Sequence, residues 1–512
     1  MPTKRNPRIL IVTPEITYLP AGMGNWANHM VAKAGGLADV SASLVGALFN
    51  QGADVHVALP YYRKMFHMDS QNLIERELQL YLSAGLPESR IHLAEDRIFH
   101  YRDSVYSNDD RENPKIALAF QREVINNIMR SVKPDLVHCN DWMTGLIPAI
   151  ARCRGIPSLF TVHNIHSQHI ALERIEDVGI DAAEFWGDLY YDKPPYDYWD
   201  ARNNNIPVDF LASGIFAAHF INTVSPEFLN EVSDGRHDWV PPAIRAEMRA
   251  KRDAGCAVGI LNAPDESYNP STDSALPLKY DPKNQMEGKL AAKRHLQREL
   301  GLVQDDDAPI FFWPSRLDPI QKGCSLLSDI LYGIVSRYWN RKLQVVIVAN
   351  GQYQGVFRDI VSFHGIQDRV AVANFNESLS RIGYAGSDFV LMPSRFEPCG
   401  LPQMVGALYG SLPIVHNTGG LHDTVWHLDV DRNTGNGFVF NDYDANALSW
   451  AVDQAMAFYS LPKDLRNAQI SRIMQDARDT FTHEKCAQAY IKIYEQMLQR
   501  PLITRNTPES EN

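Results

Sequence analysis

The sequence has few cysteines, no long apolar run and no excess of positive charge, and each shortage excludes a class of protein. The six cysteines among 512 residues have no paired spacing, so neither a disulfide framework nor a zinc site is predicted. No run approaches the roughly 18 uninterrupted apolar residues of a membrane-spanning helix. The formal net charge of −12 disfavours nucleic acid as a main partner but permits pockets for small anions. We therefore expect a cytoplasmic protein without membrane contact, whose anionic ligands are small.

Short apolar runs, each followed by polar or small residues and then by a helical pattern, recur ten times along the chain. Five of them precede the interval 253–288, which is rich in turn formers, and five follow it. Strands that alternate with helices and are apolar on both faces are typical of an α/β fold with parallel sheets. We predict two lobes whose sheets face each other, with functional residues in a cleft lined by the loops after the strands.

The stretch "SRFEPCGLPQMV" connects one of these strands to a helix. The strand should end near Met392 and the helix should begin near Leu401 or Pro402, which leaves Glu397 and Gly400 in the loop. Backbone amides at a helix start attract anions and hydroxyl oxygens, and a carboxylate beside them accepts hydrogen bonds from hydroxyl groups. A sugar site is one interpretation, and a simple helix cap by Glu397 is the other. Cys399 has no neighbouring histidine and is not predicted to be a nucleophile.

A second candidate is "VAKAGGLADV", in which Lys33 precedes Gly35 and Gly36. The two glycines would let a phosphate approach backbone amides at a helix start, while the lysine supplies charge. The alternative is a glycine turn with a solvated lysine. Nearby, "GMGNWA" matches the G-x-G-x-x-A pattern of dinucleotide sites, but it does not directly follow the strand, so no nicotinamide cofactor is predicted.

Two cations follow the strand "IFFW" in the stretch "SRLDPIQKG". Arg316 and Lys322 there suit a diphosphate whose charge grows as its bond to a sugar breaks. The alternative is an ordinary solvated pair of cations. A further glycine turn, "NTGG", ends at Gly420 after the strand "LPIVH" and supports a ligand site at this sheet edge.

Polar residues also follow two strands of the first half, in "HCNDW" and "TVHN". Asp141 and His163 at these strand ends can bind hydroxyl groups, and His163 can offer its ring or its backbone carbonyl to a reacting sugar. Either residue could instead be an ordinary loop residue. Together with His138 they lack the compact spacing of a metal site.

Taken together and in this order, the motifs resemble those of the glycogen synthase and starch synthase family, from about residue 8 to residue 497. "KAGGLADV" resembles the family's Lys-x-Gly-Gly-Leu signature, "HCNDW" its His-x-His-Asp-Trp loop and "TVHNIHSQ" its Thr-x-His-Asn-x-x-x-Gln segment. The stretch from "NESLSRIGYAGSDFVLMPSRFEPCGLPQ" to "LPIVHNTGGLHDTV" is a near-continuous match. The resemblance implies the GT-B fold, which has two Rossmann-like domains. The implied organisation is an acceptor domain, a nucleotide-sugar domain, a helix that crosses back to the first domain, and a disordered tail: 1–255, 256–482, 483–500 and 501–512.

The family's activity is the transfer of glucose, with retention of configuration, from a nucleotide diphosphate to the non-reducing end of an α-1,4-glucan. We expect ADP-glucose as the donor in preference to UDP-glucose. Retention without an obvious carboxylate nucleophile suggests attack from the front face, with the acceptor hydroxyl bonded to the departing phosphate. A GT-B enzyme with another acceptor, such as a small sugar or a glycolipid, and a non-catalytic glucan- or nucleotide-binding protein are the alternatives. The oligomeric state stays open.

The resemblance also implies roles for individual residues. Arg316 and Lys322 would hold the diphosphate leaving group, so no metal or other cofactor is expected. Glu397 would bind the donor glucose, and Phe375 would stack on the base. The implied catalytic set is Lys33, Asp141, His163, Arg316, Lys322 and Glu397. The implied substrate-binding set is Gly35, Gly36, Asn164, Asn262, Phe375, Cys399, Gly400, Leu401, Thr418, Gly419 and Gly420.

Four features depart from the family pattern. Arg316 and Lys322 are six positions apart (322 − 316 = 6), where the family usually has five. Ala263 and Pro264 replace a Gly-Ile pair, and Asn140 replaces the second histidine of the His-x-His-Asp-Trp loop. The segment between the first strand and Lys33 is roughly ten residues longer than expected. The intact cations and Glu397 favour an enzyme over a binding protein.

Overall fold

The computed structural model describes residues 5–24, 27, 30–66 and 89–503. These residues form two compact units. The first unit contains the chain up to residue 224, residues 229–260 and the chain from residue 483, and the second contains 225–228 and 261–482. The first unit extends a few residues beyond the predicted limit of 255. The last part of the tail, 504–512, and four residues of the long segment before Lys33 (25, 26, 28 and 29) lie outside the described residues.

Each unit is built on one parallel sheet. The first has seven strands in the order β3-β2-β1-β4-β5-β8-β9, and a separate antiparallel pair is formed by β6 and β7. The second has six strands in the order β12-β11-β10-β13-β14-β15. The strands of the first unit are β1 (Arg8–Val12), β2 (Asp54–Pro60), β3 (Ile91–Ala94), β4 (Leu136–Asn140), β5 (Ser158–Val162), β6 (His169–Ala171), β7 (Pro207–Asp209), β8 (Phe220–Thr223) and β9 (Ala257–Gly259). Those of the second are β10 (Ile310–Trp313), β11 (Gln344–Val348), β12 (Val370–Ala373), β13 (Phe389–Met392), β14 (Leu412–His416) and β15 (Phe438–Phe440).

Helices alternate with these strands. Before residue 261 the α-helices are α1 (Gly36–Asn50), α2 (Arg97–His100), α3 (Asn113–Glu123), α4 (Met129–Val132), α5 (Ile147–Cys153), α6 (Leu172–Asp177), α7 (Tyr198–Asn203), α8 (Phe210–Ala217), α9 (Pro226–Asp234) and α10 (Pro242–Asp253). After it they are α11 (Gln285–Glu299), α12 (Cys324–Arg337), α13 (Gln354–His364), α14 (Glu377–Gly386), α15 (Pro402–Tyr409), α16 (Gly419–Thr424), α17 (Ala445–Tyr459), α18 (Lys463–Thr480) and α19 (His483–Leu498). A π-helix covers Val124–Ile128, and short 3-10 helices cover Ala21–Met23, Trp142–Thr144, Ala182–Glu184, Trp186–Asp188 and Trp339–Arg341.

The predicted two-sheet α/β architecture is confirmed. All ten predicted strands are present, and their pairings within the two large sheets are parallel. Every residue of β4, β5, β10, β11 and β13 is buried, as continuous apolar runs require. Among the described residues, no helix has both the length and the apolar character needed to cross a bilayer.

The C-terminal helix α19 is fastened to the first sheet by a chain of buried hydrogen bonds. Tyr494 donates its hydroxyl hydrogen to His138 Nδ1 (2.7 Å), and His138 Nε2 donates to the hydroxyl of Thr161 (2.6 Å). Thr161 in turn donates to Asn222, whose amide nitrogen lies 3.0 Å from the hydroxyl of Tyr490. Burial lowers the pKa of His138 to about 3, so the ring is neutral, as this donor-to-acceptor order requires. His138 therefore helps to anchor helix α19 to the first sheet.

Candidate functional site

In the second unit, a buried ion pair joins two of the predicted site residues. Nζ of Lys322 lies 2.6 Å from Oε2 of Glu397, and the hydroxyl of Ser394 donates to the same oxygen at 3.0 Å. The two side chains are only 12% and 7% exposed. The strand before this loop ends at Met392 and the helix after it begins at Pro402, close to the predicted positions. No side chain caps that helix, so the helix-cap interpretation of Glu397 is wrong.

A tight turn lets Lys322 reach Glu397 despite the extra residue after Arg316. Oδ1 of Asp318 accepts the backbone N–H groups of Ile320 (2.9 Å) and Gln321 (2.8 Å). Such a side-chain turn folds the intervening residues back on themselves. The additional position is therefore absorbed by the turn, and the lysine keeps its place at the sheet edge.

Glycines let two loops pack closely around Glu397. The N–H of Gly420 donates to the carbonyl of Glu397 at 2.9 Å, and a Cβ at Gly420 would lie 2.0 Å from the carbonyl oxygen of Cys399. Gly400 has φ = +71°, which favours glycine. The structure thus brings together the loops after β13 and β14, with the predicted residues Cys399, Gly400, Leu401, Thr418, Gly419 and Gly420.

The remaining predicted residues of the second unit have contrasting surroundings. Arg316 follows β10 and is exposed, and its guanidinium makes no ion pair with a described residue. Phe375 follows β12, is 51% exposed, and its N–H donates to Asn350 Oδ1 at 3.0 Å. Asn262 is buried, and its Oδ1 has no hydrogen-bond partner among the described residues. An exposed cation, an exposed ring and an unpaired acceptor are groups that a ligand can engage.

In the first unit, a buried carboxylate holds the glycine loop. Oε2 of Glu15 accepts the N–H groups of Ala34 (2.7 Å) and Gly35 (3.0 Å), and its Oε1 accepts the hydroxyl of Tyr106 at 3.1 Å. Burial raises the pKa of Glu15, while these donors partly oppose that rise. The N–H of Gly35 is therefore engaged by Glu15 in this structure, and the approach of a phosphate to the glycine loop stays a prediction. Glu15 follows the first apolar run at the strand end but was not among the predicted site residues.

Lys33 lies beside this loop and is half-exposed. Its ammonium pairs with Asp39, at 2.8 Å, in the first turn of α1, and Gly36 is the first residue of that helix. The Asp39 carboxylate is only 15% exposed, but the lysine side chain is 48% exposed, so solvent screens the pair on the lysine side and the ammonium can exchange Asp39 for a ligand.

Asp141 and His163 lie together at the ends of β4 and β5, as predicted. Asp141 has φ = 61°, in the left-handed region, and its carboxylate accepts the backbone N–H groups of His163 and Asn164. Its Oδ1 is buried without a hydrogen-bond partner among the described residues. Burial raises the pKa of Asp141 to about 8. A neutral carboxyl group or an unpaired acceptor in this place suits a hydroxyl group of a ligand.

His163 is also neutral, because burial lowers its pKa to about 3. Its Nε2 lies 2.9 Å from Oδ1 of Asn140, so the ring donor considered in the sequence analysis is already engaged. Among the described residues, no group of three or more His, Cys, Asp or Glu side chains is arranged to hold a metal ion. The absence of a cofactor stays a prediction.

Comparisons with known proteins agree with this geometry. Residues 8–239 match the family model described as starch synthase catalytic domain, and residues 301–472 match glycosyl transferases group 1. The chain is 32% identical over 489 residues to the glycogen synthase of Exiguobacterium sibiricum, covering 90% of this chain and 95% of that protein. It is 34% identical to glycogen synthase 2 of Geobacter metallireducens, covering 84% and 89%. The catalytic domain of starch synthase IV from Arabidopsis thaliana, solved with ADP and acarbose, superposes with a TM-score of 0.77 at 25% identity, covering 97% of this chain and 100% of that one.

Proposed function

The chain belongs to the glycogen synthase and starch synthase family of retaining GT-B glucosyltransferases, and from that premise we propose that it transfers glucose from ADP-glucose to the non-reducing end of an α-1,4-glucan. The observation that carries this proposal is the buried Lys322–Glu397 pair at the carboxyl edge of the second sheet. It sets a carboxylate for sugar hydroxyls directly beside a cation for the leaving phosphate. The Arabidopsis enzyme, whose solved structure contains ADP and acarbose, supports both the donor nucleotide and the glucan acceptor.

Lys322 can bind the diphosphate without leaving Glu397. An ammonium group has three N–H donors, and one of them is directed at Glu397 in this structure. The other two can reach phosphate oxygens, with the exposed guanidinium of Arg316 as a second, bidentate partner. The carboxylate thereby holds the lysine in place, and the two cations stabilise the charge that develops as the bond from glucose to phosphate breaks. Under this proposal no metal takes part.

Each unit has a buried oxygen without a hydrogen-bond partner among the described residues. Oδ1 of Asp141 and Oδ1 of Asn262 are both buried and unpaired among the described residues. A buried unpaired polar group destabilises a protein by about 1–3 kcal/mol, and a hydroxyl donor removes that penalty. In the second unit, Oδ1 of Asn262 and the second carboxylate oxygen of Glu397 suit the hydroxyl groups of a hexose. In the first unit, Oδ1 of Asp141 suits a hydroxyl group in the same way.

The proposed reaction is a displacement from the front face of the sugar. The departing diphosphate takes the electron pair of its bond to C1, and the acceptor 4-hydroxyl attacks from the same face while its proton passes to a phosphate oxygen. Configuration is retained without a covalent enzyme intermediate. The protein positions the reactants and stabilises charge. Lys33, Gly36, Asn164 and the residues 399–401 and 418–420 would contact the donor, and Phe375 would stack on the base.

The test is a donor comparison with purified protein. ADP-glucose and UDP-glucose are each supplied with glycogen and with short maltooligosaccharides, and both diphosphate release and chain elongation are measured. We expect elongation to be fastest with ADP-glucose and the new linkages to be α-1,4. Elongation with UDP-glucose but not with ADP-glucose would show that the proposed donor is wrong. Diphosphate release without elongation would show that the proposed acceptor is wrong. The absence of both with either donor would overturn the proposal.

A further inference from the structure

We propose that Asn140 is a positioning residue that fixes the tautomer of His163, so that Nδ1 of the imidazole accepts a hydrogen bond from a hydroxyl group of the substrate. This inference rests on the proposed function only in taking the substrate to be a sugar. The tautomer of His163 does not depend on the proposed function. It assigns a role to a residue at which this chain departs from the family pattern.

The orientation of the Asn140 side chain is determined by its neighbours. Its Nδ2 lies 3.2 Å from the carbonyl oxygen of Val12, at the end of β1. A carbonyl oxygen only accepts hydrogen bonds, so the amide must direct its NH₂ group there and its Oδ1 the other way. Asn140 is 3% exposed and is the last residue of β4, which leaves the side chain little freedom to rotate.

The proton on His163 follows from that orientation. Oδ1 of Asn140 lies 2.9 Å from Nε2 of His163, and because Oδ1 can only accept, Nε2 must carry the hydrogen. The backbone N–H of His163 is meanwhile held by the carboxylate of Asp141. Two consecutive residues, 140 and 141, thus hold the side chain and the backbone of the same histidine. The ring is neutral, so Nδ1 is left with a lone pair.

Nδ1 of His163 has no hydrogen-bond partner among the described residues, and the side chain is half-buried rather than enclosed. His138, on the same strand as Asn140, differs in that Tyr494 and Thr161 occupy both of its ring nitrogens. Nδ1 of His163 is therefore an acceptor kept available for a ligand. It suits an O–H donor such as a sugar hydroxyl, and it repels a phosphate or carbonyl oxygen. A histidine at position 140 could act as donor or acceptor, whereas asparagine in this orientation acts only as an acceptor toward His163.

The first test reads the tautomer directly. Protein labelled with ¹⁵N at histidine is examined by NMR between about pH 6 and about pH 8, with His163→Asn used to assign the signal. We expect the Nε2–H form in the wild type and loss of that preference in Asn140→Ala. Asn222→Ala, a buried asparagine of the same sheet that does not touch His163, should leave the signal unchanged. An Nδ1–H form in the wild type would overturn the proposal, and this reading needs no activity.

The second test reads the ligand contact. Donors lacking one glucose hydroxyl each are compared in the wild type, Asn140→Ala and the isosteric Asn140→Asp. In the wild type, one deoxy donor should lose about tenfold in kcat/KM because its hydrogen bond to Nδ1 is missing. In Asn140→Ala that loss should shrink, since the acceptor is no longer fixed. Equal losses in wild type and variant for every deoxy donor would contradict the contact, and no turnover at all would point to failure of the proposed function instead.

Discussion

The two units present opposite chemistry at the ends of their strands. In the second unit the site is cationic, with buried Lys322 paired to Glu397 and Arg316 exposed nearby in sequence. In the first unit the buried groups are carboxyls with raised pKa values, Glu15 and Asp141, and a neutral histidine. Under the proposed function, the exposed and paired cations of the second unit would bind the phosphates, and the buried polar groups of the first unit would mainly recognise hydroxyl groups.

The largest expected effect is that of Glu397→Ala. The change removes the carboxylate proposed to order the donor glucose and leaves Lys322 buried without its partner, which is strongly destabilising. We expect kcat/KM for ADP-glucose to fall by about 10³-fold or more. Steady-state kinetics, together with urea unfolding to correct for lost stability, measure it. A decrease in kcat/KM of only a few-fold would show that the reaction does not depend on the Lys322–Glu397 pair.

A smaller effect is expected when the glycine loop of the first unit loses its support. Glu15→Ala removes the acceptor of the Ala34 and Gly35 N–H groups, and the loop next to Lys33 should shift. We expect kcat/KM for ADP-glucose to fall by about 10- to 100-fold, mainly through KM. Glu15→Gln keeps a carbonyl oxygen for these donors and should restore most of the loss. If the Gln variant is as poor as the Ala variant, the negative charge of Glu15 is required in addition to its acceptor oxygens.

A separate effect, on stability and not on activity, is a pH dependence of the free energy of unfolding. The pKa of Asp141 is raised from 3.8 to about 8 in the folded protein, so the folded state holds a proton that the unfolded state has lost. The stability associated with this group is fully present below about pH 4 and is lost as pH rises toward about 8. Asp141→Asn cannot lose that proton. The free energy of unfolding of Asp141→Asn, relative to that of the wild type, should therefore increase as the pH rises from about 5 to about 8, as measured by urea titration. If the difference in free energy of unfolding between the variant and the wild type stays constant, Asp141 is ionised over this whole pH range.

The sequence predicted the frame of the fold because burial on both faces leaves a strong signal. All ten apolar runs became strands, and Glu397 fell in the predicted loop. The five missed strands, β3, β6, β7, β9 and β15, are only three or four residues long, so none of them forms an apolar run long enough to stand out in the sequence. Short edge strands depend on their neighbours for pairing, and a single sequence does not reveal that partner.

The contacts within the site were harder to predict from the sequence than the strands were. The pairing of Lys322 with Glu397 joins residues 75 positions apart, and each motif alone indicated only a place at a strand end. A lone glutamate after a strand, such as Glu15, resembles many loop residues. Asp141 has a left-handed backbone and an oxygen without a hydrogen-bond partner in the described part of the chain, and both features depend on how two strand ends pack, which local sequence does not encode.

The most direct test of the division between the units is ADP binding by Lys322→Ala and Lys33→Ala, measured by calorimetry. A charge-assisted hydrogen bond contributes about 1.5–3 kcal/mol, or roughly 10- to 100-fold in affinity. Lys322→Ala should weaken ADP binding by about that amount, and Lys33→Ala, which loses only a half-exposed cation, should weaken it less. An equal or larger loss in Lys33→Ala would contradict the account.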